Sequence, residues 1–166
     1  FAAAFNQNIA TWNTAAVTNM EQMFMDALAF NQAIGSWNTG NVTAMTGMFY
    51  QAPVFNQDIG NWDTAAVKDM GIMFYKASAF NCDLGSWNTA AVKDIRNMFQ
   101  GASVFNQDIS SWDNSSVTTH DKMVDSSGMS CLNFKALRCA WNVTANTLAS
   151  NNATNPGDCN NTAAAC

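Results

Sequence analysis

Apolar positions along this chain return on a fixed beat. Phe5, Phe30, Phe55, Phe80 and Phe105 stand 25 residues apart, and each is followed by Asn. Three further columns keep the register: Trp12, Trp37, Trp62, Trp87 and Trp112; Val17, Val42, Val67, Val92 and Val117; and Met23, Met48, Met73, Met98 and Met123. Identities at one spacing within one chain mark equivalent environments, and a short unit that recurs this way buries its apolar face against its neighbours. The pattern predicts a repeat solenoid over residues 1–129, with five 25-residue coils, followed by a cysteine-containing cap and polar tail over 130–166.

Inside the unit FNQDIGNWDTAAVKDMGIMFYKA, the stretch Phe55 to Asp63 has few helix formers and runs into Gly60 and a Trp-Asp turn. It predicts one short parallel β-strand and a corner. From Val67 the apolar residues fall at Met70, Met73, Phe74 and Ala77, a stripe that fits one short helix or 3₁₀ turn per coil, with Asp63 and Thr64 as caps. Phe, Ile, Trp, Val and Met of each unit are then the core. The chain begins part-way through a unit, since Ala2 matches Ala27, Ala52, Ala77 and Ala102. Either further coils precede it or this edge stacks on another molecule.

Composition narrows the function classes. The 166 residues are 48% apolar and 11% aromatic, enough for a real core, but only 11% charged with a net charge of -5. Nucleic-acid binding needs clustered cations, so no nucleic acid is expected as partner. No apolar run reaches the ~18 residues of a membrane span, so no membrane insertion is expected either.

The motif F-N-Q-D-I-x-x-W-[DN]-T-x-x-V-x-x-M-x-x-M-F-x-x-A, carried by residues 1 to about 129, resembles the BspA-like surface-protein repeat. That family takes in the repeat of unknown function of Mycoplasma surface lipoproteins and relatives in algae and other protists. The resemblance implies a leucine-rich-repeat-like fold, an extracellular or cell-surface location, adhesion, and no enzymatic activity.

Several columns are candidates for chemistry. Asn6, Asn31, Asn56, Asn81 and Asn106 predict an amide ladder along the stack. The Trp column and Met23, Met48, Met73 and Met98 predict core packing rather than a thioether metal site. Asp58, Asp83 and Asp108 form an acidic column whose repulsion is offset by solvent, with a calcium ion as the alternative. Lys68 and Lys93 beside Asp69 and Asp94 predict a solvated, self-compensating face.

Cys131, Cys139, Cys159 and Cys166 predict disulfides in an oxidising compartment; three pairings are open, and Cys131–Cys139 with Cys159–Cys166 is the simplest. Zinc is the rival reading, against which the spacings argue. Cys82, in a slot where other units hold Gln, is left as a free thiol or an intermolecular link. Asn41, Asn114, Asn142, Asn152 and Asn160 lie in N-x-[ST] sequons and are glycosylation candidates. His120, the one histidine, stands in a Met slot of the last coil, and no catalytic fingerprint is present. The expectation is therefore a structural or adhesive contact protein without cofactors. Its partners would be copies of itself, in a head-to-tail filament, or surface proteins and glycans. The alternative is a glycan- or small-ligand-binding module on the strand face.

Overall fold

The computed structural model describes residues 2–143 and 148. Every 25 residues the chain lies back on its own previous turn, and coil touches coil through isolated parallel bridges, Asn19 to Ala44, Ala44 to Asp69, Asp69 to Asp94 and Asp94 to Thr119. The regular element among the described residues is one helix, α1 (Cys131–Trp141). No strand forms in any described coil and no helix forms within them, so the expected leucine-rich-repeat-like solenoid of one strand plus one helix or 3₁₀ turn per coil is overturned.

The reasons are local. In the segment expected to be a strand, the N–H of Asn56 is taken by the side-chain Oδ1 of Asn31 at 3.0 Å, and Asn81 repeats this on Asn56 at 2.9 Å. A side-chain amide thus replaces the backbone carbonyl that a sheet ladder would need. In the segment expected to be helical, N–H groups alternate between two kinds of acceptor. Met73, Tyr75 and Ala77 bond back three residues to Met70, Ile72 and Phe74, while Met70, Ile72, Phe74 and Lys76 bond forward to Asp94, Arg96, Met98 and Gln100 of the next coil. Such alternation makes consecutive tight turns, and it requires positive φ at Ile72 (52°) and Lys76 (55°) and at their equivalents. Thr64 is not a helix cap: it is buried, and its hydroxyl donates to the carbonyl of Asn88 at 3.0 Å.

The core is a set of ring columns. Phe30, Phe55, Phe80 and Phe105 stack at 5.9–6.1 Å, and Phe24, Phe49, Phe74 and Phe99 at 5.5–5.6 Å. The two columns meet within each coil, as at Phe74–Phe80, 3.9 Å between centroids. Trp37, Trp62, Trp87 and Trp112 are buried, and each indole N–H donates to a carbonyl 28 residues earlier, Trp62 to Ile34 at 3.1 Å. Met48, Met73 and Met98 are fully buried. Trp12 and Met23, expected in the core, are 52% and 40% exposed, because in the described residues no complete coil lies beneath the first one.

At the other end α1 covers the last coil with Phe134, Leu137 and Trp141. Ser130 caps its N-terminus, and Asn142 closes it in the left-handed conformation. Trp141 extends the indole column by donating to the Trp112 carbonyl at 3.1 Å, and the Ser130 N–H takes the Oδ1 of Asn106 at 2.8 Å. Cys131 and Cys139 are both disulfide-bonded. They stand eight residues apart on α1, a rise of about 12 Å, and a disulfide spans less than about 7 Å between Cα atoms. The Cys131–Cys139 pairing is therefore excluded; Cys159 and Cys166 lie outside the described residues.

Candidate functional site

Two regions of the column present chemistry to the outside: its polar flank and its N-terminal edge. On the flank, the Asn column runs unbroken from Asn6 to Asn106, each Oδ1 accepting the backbone N–H of the following member. Gln32, Gln57 and Gln107 add a second donor to the Oδ1 of Asn6, Asn31 and Asn81, each at 2.9 Å. Cys82 replaces that glutamine, and its thiol lies 3.4 Å from the Oδ1 of Asn56 and 3.1 Å from the Gln57 carbonyl. Burial first, and the Asp58 charge second, push the Cys82 thiol above its ordinary range.

The acidic column is spent on its own turns. Asp58, Asp83 and Asp108 each use Oδ1 to accept the N–H two residues on, at Gly60, Gly85 and Ser110. The Ser110 hydroxyl, more than its N–H, holds Asp108 below the usual carboxylate value, and the N–H of Ser115 does the same for Asp113. Among the described residues no cluster of three or more His, Cys, Asp or Glu is gathered as a metal site. On the adjoining face Asp69 and Asp94 also cap turns, at Gly71 and Arg96, and Arg96 rather than a lysine pairs with Asp94 at 3.2 Å.

A feature without a counterpart in the sequence reading is the stacked pair Tyr50–Tyr75, 4.8 Å apart, with the Lys76 ammonium 5.3 Å from the Tyr75 ring. Its signal was available, since the two tyrosines occupy equivalent slots. Of the sequon asparagines, Asn41 is exposed and donates to Ala15, Asn114 is half-buried and donates to Trp141, and Asn142 is exposed at the end of α1. Asn152 and Asn160 lie outside the described residues. His120 is half-buried, its Nε2 shut from solvent without a hydrogen-bond partner among the described residues.

The N-terminal edge is an open apolar depression lined by Phe5, Trp12, Met23, Phe24 and Ala27. No described helix is long and apolar enough to cross a membrane. Comparison with curated proteins and with solved structures finds no match. A family model does match, in two overlapping stretches, residues 1–63 and 30–137. Those stretches contain every coil described above and most of α1, and the chain accordingly belongs to the family described as Mycoplasma protein of unknown function, DUF285.

Proposed function

We propose that this protein is an extracellular or cell-surface contact protein of the BspA-like kind, acting as a rigid polar array rather than as a catalyst. One observation carries the reading: exposed amides and carboxylates recur at 25-residue intervals, the amides held by bonds between coils, as in the Asn–Gln ladder, and the carboxylates by the turns they close within each coil. Groups pre-ordered in this way lose little side-chain freedom on contact, and repetition along the axis lets weak contacts add. Disulfide bonding at Cys131 and Cys139 suits an oxidising location, and exposed Asn41 and Asn142 are the described sequon sites where a glycan would find room. The head-to-tail filament meets an obstacle in α1, which already occupies the edge that a second copy would have to join. The test is retention of cells or extracellular-matrix proteins on a surface coated with the folded chain. Retention no greater than on a coat of the heat-unfolded chain would refute the proposal.

A second reading, glycan binding, draws on the Tyr50–Tyr75 pair, whose stacked rings beside Gln51 and Lys76 offer an aromatic platform with polar neighbours. Glycan-array binding that disappears in Tyr50→Ala with Tyr75→Ala would favour it over protein contact.

A further inference from the structure

The chain has two tyrosines, and the fold sets one against the other. Tyr50 and Tyr75 hold the same slot in consecutive coils, and the backbone fixes them there. The N–H of Gln51 donates to the Tyr75 carbonyl at 2.7 Å, and one residue earlier Phe49 stacks on Phe74 at 5.5 Å. The phenol rings lie 4.8 Å apart and 8° from parallel, closer than the described rings of any other column. Both side chains are half-buried, and neither hydroxyl bonds to a described residue or is shut from solvent. Two oxidisable groups are therefore held ring to ring with their hydroxyls open to water. The neighbouring columns offer nothing equivalent: Phe lacks the hydroxyl, and Trp37, Trp62, Trp87 and Trp112 are buried with each indole N–H engaged.

We propose that Tyr50 and Tyr75 form an oxidative cross-linking site, at which a haem peroxidase with hydrogen peroxide joins the two rings through one ortho carbon of each. The peroxidase takes one electron from each phenol, and each Oη proton leaves to water. Two neutral phenoxyl radicals result, their spin shared by the ortho carbons, and they pair into one C–C bond. The hydrogen on each bonded ortho carbon then leaves as a proton while one proton returns to each Oη. In sum the pair loses two hydrogens, and one hydrogen peroxide becomes two waters. Stacking brings the ortho carbons alongside one another, and the remaining approach is a rotation of the kind exposed side chains make in picoseconds to nanoseconds. In an unfolded chain two groups 25 residues apart meet at an effective concentration of roughly millimolar, whereas the fold keeps these two in contact. The new bond ties the coil of Tyr50 to that of Tyr75, and by closing a 25-residue loop it restricts the unfolded chain as a disulfide does. This inference rests on the geometry of the pair and stands whether the flank contacts proteins, glycans or neither.

The experiment treats the folded full chain with a haem peroxidase and hydrogen peroxide, and follows dityrosine fluorescence, intact mass and peptide mapping. The expected product is a monomer lighter by two hydrogens, with Tyr50 and Tyr75 in one cross-linked peptide pair. It is expected to exceed covalent dimer at least tenfold, and its fractional yield to stay unchanged when the protein is diluted tenfold. Tyr50→Phe and Tyr75→Phe, which keep the ring stack, are each expected to abolish it. Covalent dimer as the main dityrosine product, with a yield that falls on dilution, overturns the inference. So does a lack of any coupling in the chain while N-acetyltyrosine amide couples under the same conditions.

Discussion

Trp62→Phe and Trp12→Phe make the same chemical change in the same slot of two coils, and the structure predicts different costs. Trp62 is 3% exposed and its indole N–H donates to the Ile34 carbonyl at 3.1 Å in a buried setting. That carbonyl also receives the Trp37 N–H, so losing the indole donor falls at the lower end of the range for a broken buried bond, about 1 kcal/mol. Shrinking the indole to a phenyl ring inside a closed column adds about 1–2 kcal/mol for lost packing and the void left behind. The sum, about 2–3 kcal/mol, corresponds to a fall in Tm of roughly 5–10 °C for a chain of this size. Trp12 is 52% exposed and its indole N–H has no partner among the described residues, so its change costs about 0.5 kcal/mol or less. Urea unfolding read by far-UV circular dichroism separates the two without relying on the tryptophan signal that the substitutions alter. Equal losses in both variants, or a larger loss at Trp12, would refute the argument that a neighbouring coil gives this slot its value.

Glycine supplies a second contrast within one slot: a Cβ at Gly35 would stand 2.3 Å from the Asp58 carbonyl oxygen, whereas at Gly85 the nearest carbonyl, Asp108, is 3.5 Å away. Gly35→Ala is expected to cost about 2–3 kcal/mol and Gly85→Ala less than about 1, measured by urea denaturation, and the reverse order would contradict the spacing. For Cys82, alkylation at pH 8 is expected to be slower than that of free cysteine and to speed up in Asp58→Asn, since both burial and that charge disfavour the thiolate; a rate equal to free cysteine would contradict this. Asp108 and Asp113 have folded pKa values below 3.8, so what they add to stability is present above the unfolded value and is lost as pH falls through the folded one. Carboxyl titrations by NMR should place both midpoints below 3.8. Ser110→Ala should raise Asp108 more than Ser115→Ala raises Asp113, because the hydroxyl leads in the first case and the N–H in the second.

What the sequence made legible was the period and the membership of the columns: Phe55, Ile59, Trp62, Val67, Met70, Met73 and Phe74 are all buried. What it hid was the backbone. A stripe at steps of three and four fits a helix, and it fits equally a run of tight turns; the choice rests on whether N–H groups bond within the coil or across it. Positive φ usually advertises itself through glycine, yet here the two positions per coil hold Gln22, Ile72, Asn97 and Lys122, or Asp26, Gln51, Lys76 and Ser126, with glycine only at Gly47 and Gly101. Asn in the ladder slot was visible as an amide, but not as the group that would stand in for a backbone carbonyl and so prevent a strand. The edge escaped for a different reason: Trp12 looks like every other tryptophan in its column, and only its missing neighbour makes it wet. In α1, neither Cys131 nor Cys139 reveals from spacing alone that one rigid rod holds them apart.

The distance between successive rings widens steadily across the column. It is 4.8 Å at Tyr50–Tyr75 on the bridged flank, 5.5 Å at Phe49–Phe74, 6.0 Å at Phe55–Phe80 and 6.5 Å at Trp62–Trp87. Equivalent atoms related by translation alone would keep one distance, so successive coils are rotated as well as translated, closest where backbone meets backbone and farthest apart where an indole reaches across. A rotation repeated at every coil accumulates, so lengthening the array would turn its faces progressively in space instead of merely adding reach.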